Sequence, residues 1–306
     1  MKKILREIRM AGHSNILIIG IDSFTGNHLK AHFEEKGWQV FGTSFSIEDT
    51  DKVFKVDIID SKAVIAILRK VKPDYIINLA AISFVGEPNH ELFYKVNVLG
   101  AESLLESICK SGIEPKKVLM PSSAVVYGNQ NEVSLHEGLI PNPINHYGYS
   151  KYVGEQICKT YFDKLNIIVP RPFNYTGEGQ LSTFLVPKIV DAYKKGCDRI
   201  ALGNLDTFRE FNDVKLICWV YEKLLIVDKH SEIVNVCSGN THSVRQIIDK
   251  MQLISDNHIY VDVDKRFVRK NEIQELKGSP KKLESLIGKL DQTFSLELLL
   301  ERLYKS

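Results

Sequence analysis

Apolar residues along this chain fall into short runs that end on glycine or small polar residues, and longer stretches with helical periodicity separate them. The run at 15–19 stops at Gly20, a glycine turn carries the chain to Gly26, and a helical stretch continues to Lys36 before Gly37. Strand, turn and helix follow in that order. The pattern recurs with strands at 39–42, 53–56, 75–78, 117–120 and 167–169, and helices at 62–71, 92–111 and 147–165. Pro73 stops the first of those helices and Gly112 the second. Short buried strands alternating with helices about six times predict an α/β fold, a right-handed, doubly wound, mostly parallel sheet of Rossmann type.

From Arg171 the character changes. Arg171-Pro-Phe-Asn174-Tyr-Thr-Gly177-Glu-Gly179-Gln carries too many prolines and glycines for a continuous element. Beyond it we expect helices at 183–195, 214–226, 244–253, 280–287 and 296–303, the third capped by Ser243, and strands at 199–202, 232–237 and 259–263. The organisation expected is a dinucleotide-binding domain over 14–172, with 203–240 partly returning to it. A smaller mixed α/β substrate domain takes 173–202 and 241–306.

Composition narrows the partners. At 306 residues the chain can bury a full core. A net charge of +2 gives no basic stripe for nucleic acid and no membrane-surface face, and no apolar run approaches the ~20 residues of a membrane span. The first residues mix Glu7 into their apolar positions and offer no cleavage site, so no signal peptide is read. Five widely spaced cysteines form no Cys-x-x-Cys pair; they read as buried thiols in a reducing cytoplasm, with no metal site.

Candidate chemistry gathers between 117 and 151. The strand at 117–120 delivers Ser122 and Ser123 at its carboxyl end, where open α/β sheets place their sites. Tyr147 and Lys151 stand four apart on a helix and share a face. Unit charges ~4 Å apart at an effective dielectric of ~20 interact by ~4 kcal/mol, so an ammonium beside a phenol can lower its pKa by two or so units. Tyr147 then suits proton transfer to a carbonyl oxygen, with Ser123 as a second donor. The turn from Gly20 to Gly26 suits a pyrophosphate, through exposed amides and the helix dipole, although Ser23 stands where a middle glycine is usual. At the end of the second strand Ser44 occupies the position of an NAD-selecting acid and Phe45 that of an NADP-selecting Arg. The preference leans to NADP because no carboxylate excludes it. Asp57 resembles the acid that dinucleotide-binding relatives place beside the adenine, and reads equally as the N-cap of the helix that follows.

Ser123-Ala-Val-Val-Tyr-Gly followed by His146-Tyr147-Gly-Tyr-Ser-Lys151 resembles the extended short-chain dehydrogenase/reductase superfamily, of the NAD-dependent epimerase/dehydratase type. The resemblance implies catalysis by Ser123, Tyr147 and Lys151. It implies that NADP or NAD is held by Gly20, Ser23, Phe24, Thr25, Gly26, Ser44, Asp57, Ile58, Leu79, Ala80, Ala81, Asn97, Tyr147, Lys151 and Pro172. It also implies a homodimer through the helices at 92–111 and 147–165.

Arg171-Pro-Phe-Asn174-Tyr-Thr-Gly177-Glu-Gly179-Gln, Gly203-Asn-Leu-Asp-Thr-Phe-Arg209-Glu-Phe-Asn-Asp213-Val, Asn235-Val-Cys-Ser-Gly239 and Arg266 with Glu272 are similar to the GDP-sugar branch, which holds GDP-4-keto-6-deoxy-mannose reductases and GDP-mannose 4,6-dehydratases. A GDP-linked keto-deoxysugar would then meet Ser83, Ser123, Asn174, Lys188, Arg209, Arg269 and Glu272, the cations facing its diphosphate and Glu272 its ribose. Dehydratases of the branch carry an acid two residues before the Tyr-Gly pair; here that position is Val125, which moves no proton. The expectation is therefore NAD(P)H-dependent reduction of a C4 ketone in a hexose or heptose for a surface polysaccharide. C4 epimerisation through a transient ketone, and a catalytically silent dinucleotide-binding protein, are the alternatives.

Overall fold

The computed structural model describes residues 14–264, 273–290 and 294–306. Its chain divides into two compact units: one comprises 1–128, 140–171 and 218–234, the other 129–139, 172–217 and 235–306.

The first unit is built on a seven-stranded sheet whose strands are β1 (Asn15–Ile19), β2 (Gln39–Ser44), β3 (Val53–Lys55), β4 (Tyr75–Asn78), β5 (Lys117–Leu119), β6 (Ile167–Pro172) and β7 (Glu232–Val236). They lie in the order β7-β6-β5-β4-β1-β2-β3. Every register recorded from β3 across to β6 is parallel, with Ile16 level with Val40 on one side and Tyr75 on the other. Ile16, Leu17, Ile18, Ile76 and Ile77 are fully buried, as expected of strands covered on both faces, whose sequence is continuously apolar rather than alternating. Because the chain winds one way from β1 to β2 and the other way to β4, a crevice opens at the carboxyl ends of β1 and β4.

The helices of this unit are α1 (Phe24–Glu35), α2 (Ser61–Val71), α3 (His90–Tyr94), α4 (Ala101–Ser111) and α5 (His146–Lys159). Two expectations change. Asp60, not Asp57, caps α2, its carboxylate accepting from the Ala63 amide at 3.1 Å; Asp57 accepts from Ile59 instead. The helix expected over 92–111 is interrupted by a π-helical turn at Lys95–Gly100 that carries Asn97. Such turns concentrate at functional sites. Gly100 in that turn lies over Ile58, whose methyl a Cβ would meet at 2.7 Å, so Ile58 packs into the core beneath the helix.

The second unit is held by helices Leu185–Lys194, Val244–Ser255 and Leu296–Lys305 around Ile189, Val190, Ile247, Met251, Leu299 and Leu300. Ser243 caps the second of these in a reciprocal capping box with Gln246. The stretch 203–213, between the strand expected at 199–202 and the helix expected at 214–226, contains two short strands, Phe208–Arg209 and Asn212–Asp213. Between them the buried Glu210 accepts from the amides of Ser238 and Gly278, each at 2.7 Å. Among the described residues no helix is long and apolar enough to cross a membrane.

Candidate active site

At the carboxyl end of β1 the amides of Gly20 and Ile21 both donate to the Thr43 carbonyl, at 2.9 and 3.0 Å, which folds the turn against the end of β2. Gly20 has φ of +77°, and a Cβ there would lie 3.0 Å from the Ala80 amide nitrogen. A Cβ at Gly26 would lie 2.5 Å from the Ile21 carbonyl. Backbone thus approaches backbone, and the positive end of α1 faces the turn, which fits a pyrophosphate. Ser23 does not merely fill the middle glycine's place: its hydroxyl oxygen accepts from the Gly26 amide at 3.0 Å and caps α1. Thr25 is buried at the start of α1, and Phe24 packs edge-on against His28.

The expectation that no carboxylate reaches the end of β2 is corrected. The buried Ser44 hydroxyl donates to Asp22 Oδ2 at 2.7 Å, and the Ser46 hydroxyl donates to the same oxygen at 3.0 Å. The acid comes from the glycine turn instead of the strand, because the two bonds to Thr43 bring residue 22 there.

After β4 the loop through Leu79, Ala80, Ala81 and Ser83 is held by Asn97. Its amide oxygen accepts from the Ile82 amide at 2.8 Å, and Nδ2 donates to the Ile82 carbonyl and to Ser150 Oγ, each at 3.0 Å. Both amide hydrogens are therefore engaged within the protein, so Asn97 positions the loop against α5 rather than donating to a dinucleotide as the resemblance implies.

Beyond β5 the pairing with β6 continues through the Met120 and Ser122 amides and ends on Ser123. Ser123, extended at φ −162° and ψ 150°, caps a short 3-10 turn over Ala124–Tyr127, and Gly128 leaves that turn at φ +61°. Asn145 caps α5 by accepting from the Gly148 amide at 2.8 Å. Gly148 lets α5 come close, since a Cβ there would lie 3.1 Å from the Val125 carbonyl. Tyr147 is thereby set beside the 3-10 turn, its ring 6.0 Å from that of Phe93. One turn along α5 the Lys151 ammonium donates to the Pro121 carbonyl, immediately before the two serines. Burial pushes Lys151 down to about 8, against the charge of nearby Glu155. His146 stacks on His90 at 4.1 Å and shares a hydrogen bond with the Tyr94 hydroxyl at 2.9 Å.

One arrangement gave no sequence signal beyond spacing. Glu155, four residues past Lys151, forms a bidentate pair with Arg171 at 2.7 and 2.6 Å. Arg171 also donates to the Tyr127 hydroxyl at 2.9 Å, and all three residues are almost fully buried.

In the second unit the half-buried Lys188 gives its ammonium to the Ala201 carbonyl at 2.6 Å, and Arg209 donates to the carbonyls of Phe208 and Gln274. Pro172 ends β6, and the exposed Asn174 follows it, its carbonyl accepting from the Asn212 amide. Arg269 and Glu272, expected at the diphosphate and the ribose, lie outside the described residues.

A doubly wound sheet with a glycine turn after β1, and a serine, tyrosine and lysine around the end of β5, defines the class of dinucleotide-dependent enzymes that work on a carbonyl or alcohol. The chain belongs to the GDP-mannose 4,6 dehydratase family, whose model matches residues 17–302. It is 37% identical over 292 residues to a GDP-6-deoxy-D-talose 4-dehydrogenase of Aggregatibacter actinomycetemcomitans, covering 95% of this chain and 97% of that one. It is 28% identical over 288 residues to a GDP-6-deoxy-D-mannose reductase of Pseudomonas aeruginosa, covering 89% and 90%. The structure of RMD from Pseudomonas aeruginosa complexed with NADPH superposes with a TM-score of 0.83 at 25% identity, over 95% of this chain and 98% of that one.

The buried pair yields a stability prediction. Removing Arg171 as Arg171→Ala strands the Glu155 carboxylate in the core and is expected to cost about 3–5 kcal/mol. Denaturant unfolding measures it, and the double variant R171M/E155L, which replaces both charges with apolar groups, should recover most of the loss.

Proposed function

We propose that the protein is an NAD(P)H-dependent 4-reductase of a GDP-4-keto-6-deoxy-sugar, hexose or heptose, working in either direction between ketone and alcohol and serving activated deoxysugar synthesis. The observation that carries this reading is the Lys151–Pro121 hydrogen bond, which ties the lysine one turn past Tyr147 to the strand end bearing Ser123. The relatives named for oxidising or reducing GDP-linked 6-deoxy sugars support it.

The bound dinucleotide supplies the hydride. Tyr147 gives its hydroxyl proton to the C4 oxygen as charge develops there, and Ser123 donates a second hydrogen bond to that oxygen. The Lys151 ammonium favours the phenolate left behind. Val125 stands in the 3-10 turn where a dehydratase of this branch would carry its acid, and the turn Ala124–Tyr127 contains no carboxylate. The reading therefore stops at one hydride and one proton. Ser83 and Asn174 are assigned to the sugar, Lys188, Arg209 and Arg269 to the diphosphate, and Glu272 to the ribose hydroxyls.

Mixing the enzyme with reduced dinucleotide and GDP-4-keto-6-deoxy-mannose should oxidise one dinucleotide per product formed. Product with no net oxidation overturns reduction in favour of C4 epimerisation. Tyr147→Phe should lower the rate at least ~100-fold while dinucleotide affinity is unchanged; an unaffected rate removes Tyr147 from the chemistry.

The depressed Lys151 also predicts a pH limb. The ammonium is the working form, so kcat/KM for the dinucleotide in ketone reduction should be full below pH 8 and fall as pH rises through about 8. A profile flat well above that value would remove the ammonium from the reaction.

We also propose a homodimer through the helices at 92–111 and 147–165, on which Leu99, Tyr149 and Val153 are exposed. Light scattering at micromolar concentration should give twice the chain mass, and Leu99→Glu should halve it.

A further inference from the structure

The carboxylate at the end of β2 is held in an unusually determined way. Ser44 Oγ accepts from the amides of Ser46 and Ile47, at 3.0 and 2.9 Å. Two amides occupy its lone pairs, so its single hydrogen is directed to Asp22 Oδ2 at 2.7 Å. Ser46 adds a second hydroxyl to the same oxygen at 3.0 Å. Among the described residues no hydrogen bond engages the other oxygen, Oδ1. Asp22 is thus fixed as an acceptor with one oxygen clamped and one presented, at the strand end where an α/β dinucleotide site meets the adenosine ribose.

The surroundings carry the same sign. Glu48, Asp49 and Asp51 follow within a few residues of Ser44. The cation nearest in register is Lys55, level with Ser44 on β3, and its ammonium is already paired with Glu48. Phe45, next to Ser44, is 74% exposed and brings no charge. A 2′-phosphate at this place would meet the Asp22 carboxylate while Lys55, the cation level with Ser44, is drawn to Glu48, whereas a 2′-hydroxyl would donate to Oδ1.

We infer that Asp22 is the residue that selects the cofactor, accepting the adenosine 2′-hydroxyl and rejecting a 2′-phosphate, so that the protein works with NAD(H) in preference to NADP(H). The inference rests on the proposed dinucleotide site and reverses the lean toward NADP that the strand-end residues suggest. It also separates this chain from the Pseudomonas aeruginosa structure that holds NADPH.

Titration of the ligand-free protein with NADH and with NADPH, followed by nicotinamide fluorescence or calorimetry, tests it without any substrate. The unmodified chain should bind NADH at least tenfold more tightly than NADPH. Asp22→Asn keeps the size but removes the charge and one of the two acceptor oxygens, and should tighten NADPH at least tenfold while weakening NADH, so that the preference for NADH falls or inverts. Asp22→Ala, which removes the acceptor as well, should weaken NADH and still tighten NADPH. Equal affinities in the unmodified chain, or a ratio that Asp22→Asn leaves in place, overturn the assignment to Asp22 while leaving the dinucleotide site intact. Binding of neither dinucleotide overturns the proposed function itself.

Discussion

The first unit depends on an ammonium held under a strand end. Lys151 donates to the carbonyl of Pro121, and that bond fixes where α5 lies along the end of β5. Enclosing an ammonium is unfavourable unless charge and hydrogen bonds compensate. Compensation here is partial: one carbonyl, and the field of Glu155, whose carboxylate is itself matched by Arg171. The result is a lysine pushed down to about 8. It keeps its proton at neutral pH. Arg171, Glu155 and Tyr127 lie behind the lysine and add no group that could move a substrate proton. Their part is to keep a compensated carboxylate four residues along the same helix.

Helix and strand are placed by close approaches of backbone. Gly148 lets α5 meet the 3-10 turn, and Gly20 and Gly26 let the first turn meet the loop after β4 and its own start. Gly128, at φ +61° and ψ −145°, adopts a conformation open essentially to glycine alone, and a Cβ there would overlap the Asn142 carbonyl. Gly20 and Gly26 belong to one turn, and Gly128 and Gly148 to two separate segments. What they share is a neighbour whose backbone leaves no volume for a side chain.

That distinction explains what was legible in the sequence. The parallel sheet could be read because its strands are continuously apolar, end on small residues and alternate with helices, which are local properties. Ser123, Tyr147 and Lys151 could be read because helical spacing and the strand end that precedes it are local too. The π-turn at Lys95–Gly100 could not, since it depends on Asn97 clasping Ile82 and Ser150 and on Gly100 settling over Ile58. The two-residue strands Phe208–Arg209 and Asn212–Asp213 exist only through partners distant in sequence. Asp22 is not legible as a partner of the end of β2 because it lies twenty-two residues upstream of Ser44, and the hydrogen bonds to Thr43 bring the two together. The signal was present as two serines flanking Phe45 and an acid inside a glycine turn, but it has meaning only in three dimensions.

Among the described residues Asp22 and Lys151 share no hydrogen-bond partner, and on the proposed reading they meet opposite parts of a dinucleotide. Asp22 engages Ser44 and Ser46; Lys151 engages Pro121 and feels Glu155. Interaction energies between groups without common neighbours are close to additive. Cofactor choice can therefore change at one end of the site without disturbing proton transfer at the other. A family built on this sheet can hold the serine, tyrosine and lysine constant and vary the acid in the turn. On the proposed reading, which dinucleotide is used is set by the charge at residue 22 and is a choice separate from what is reduced.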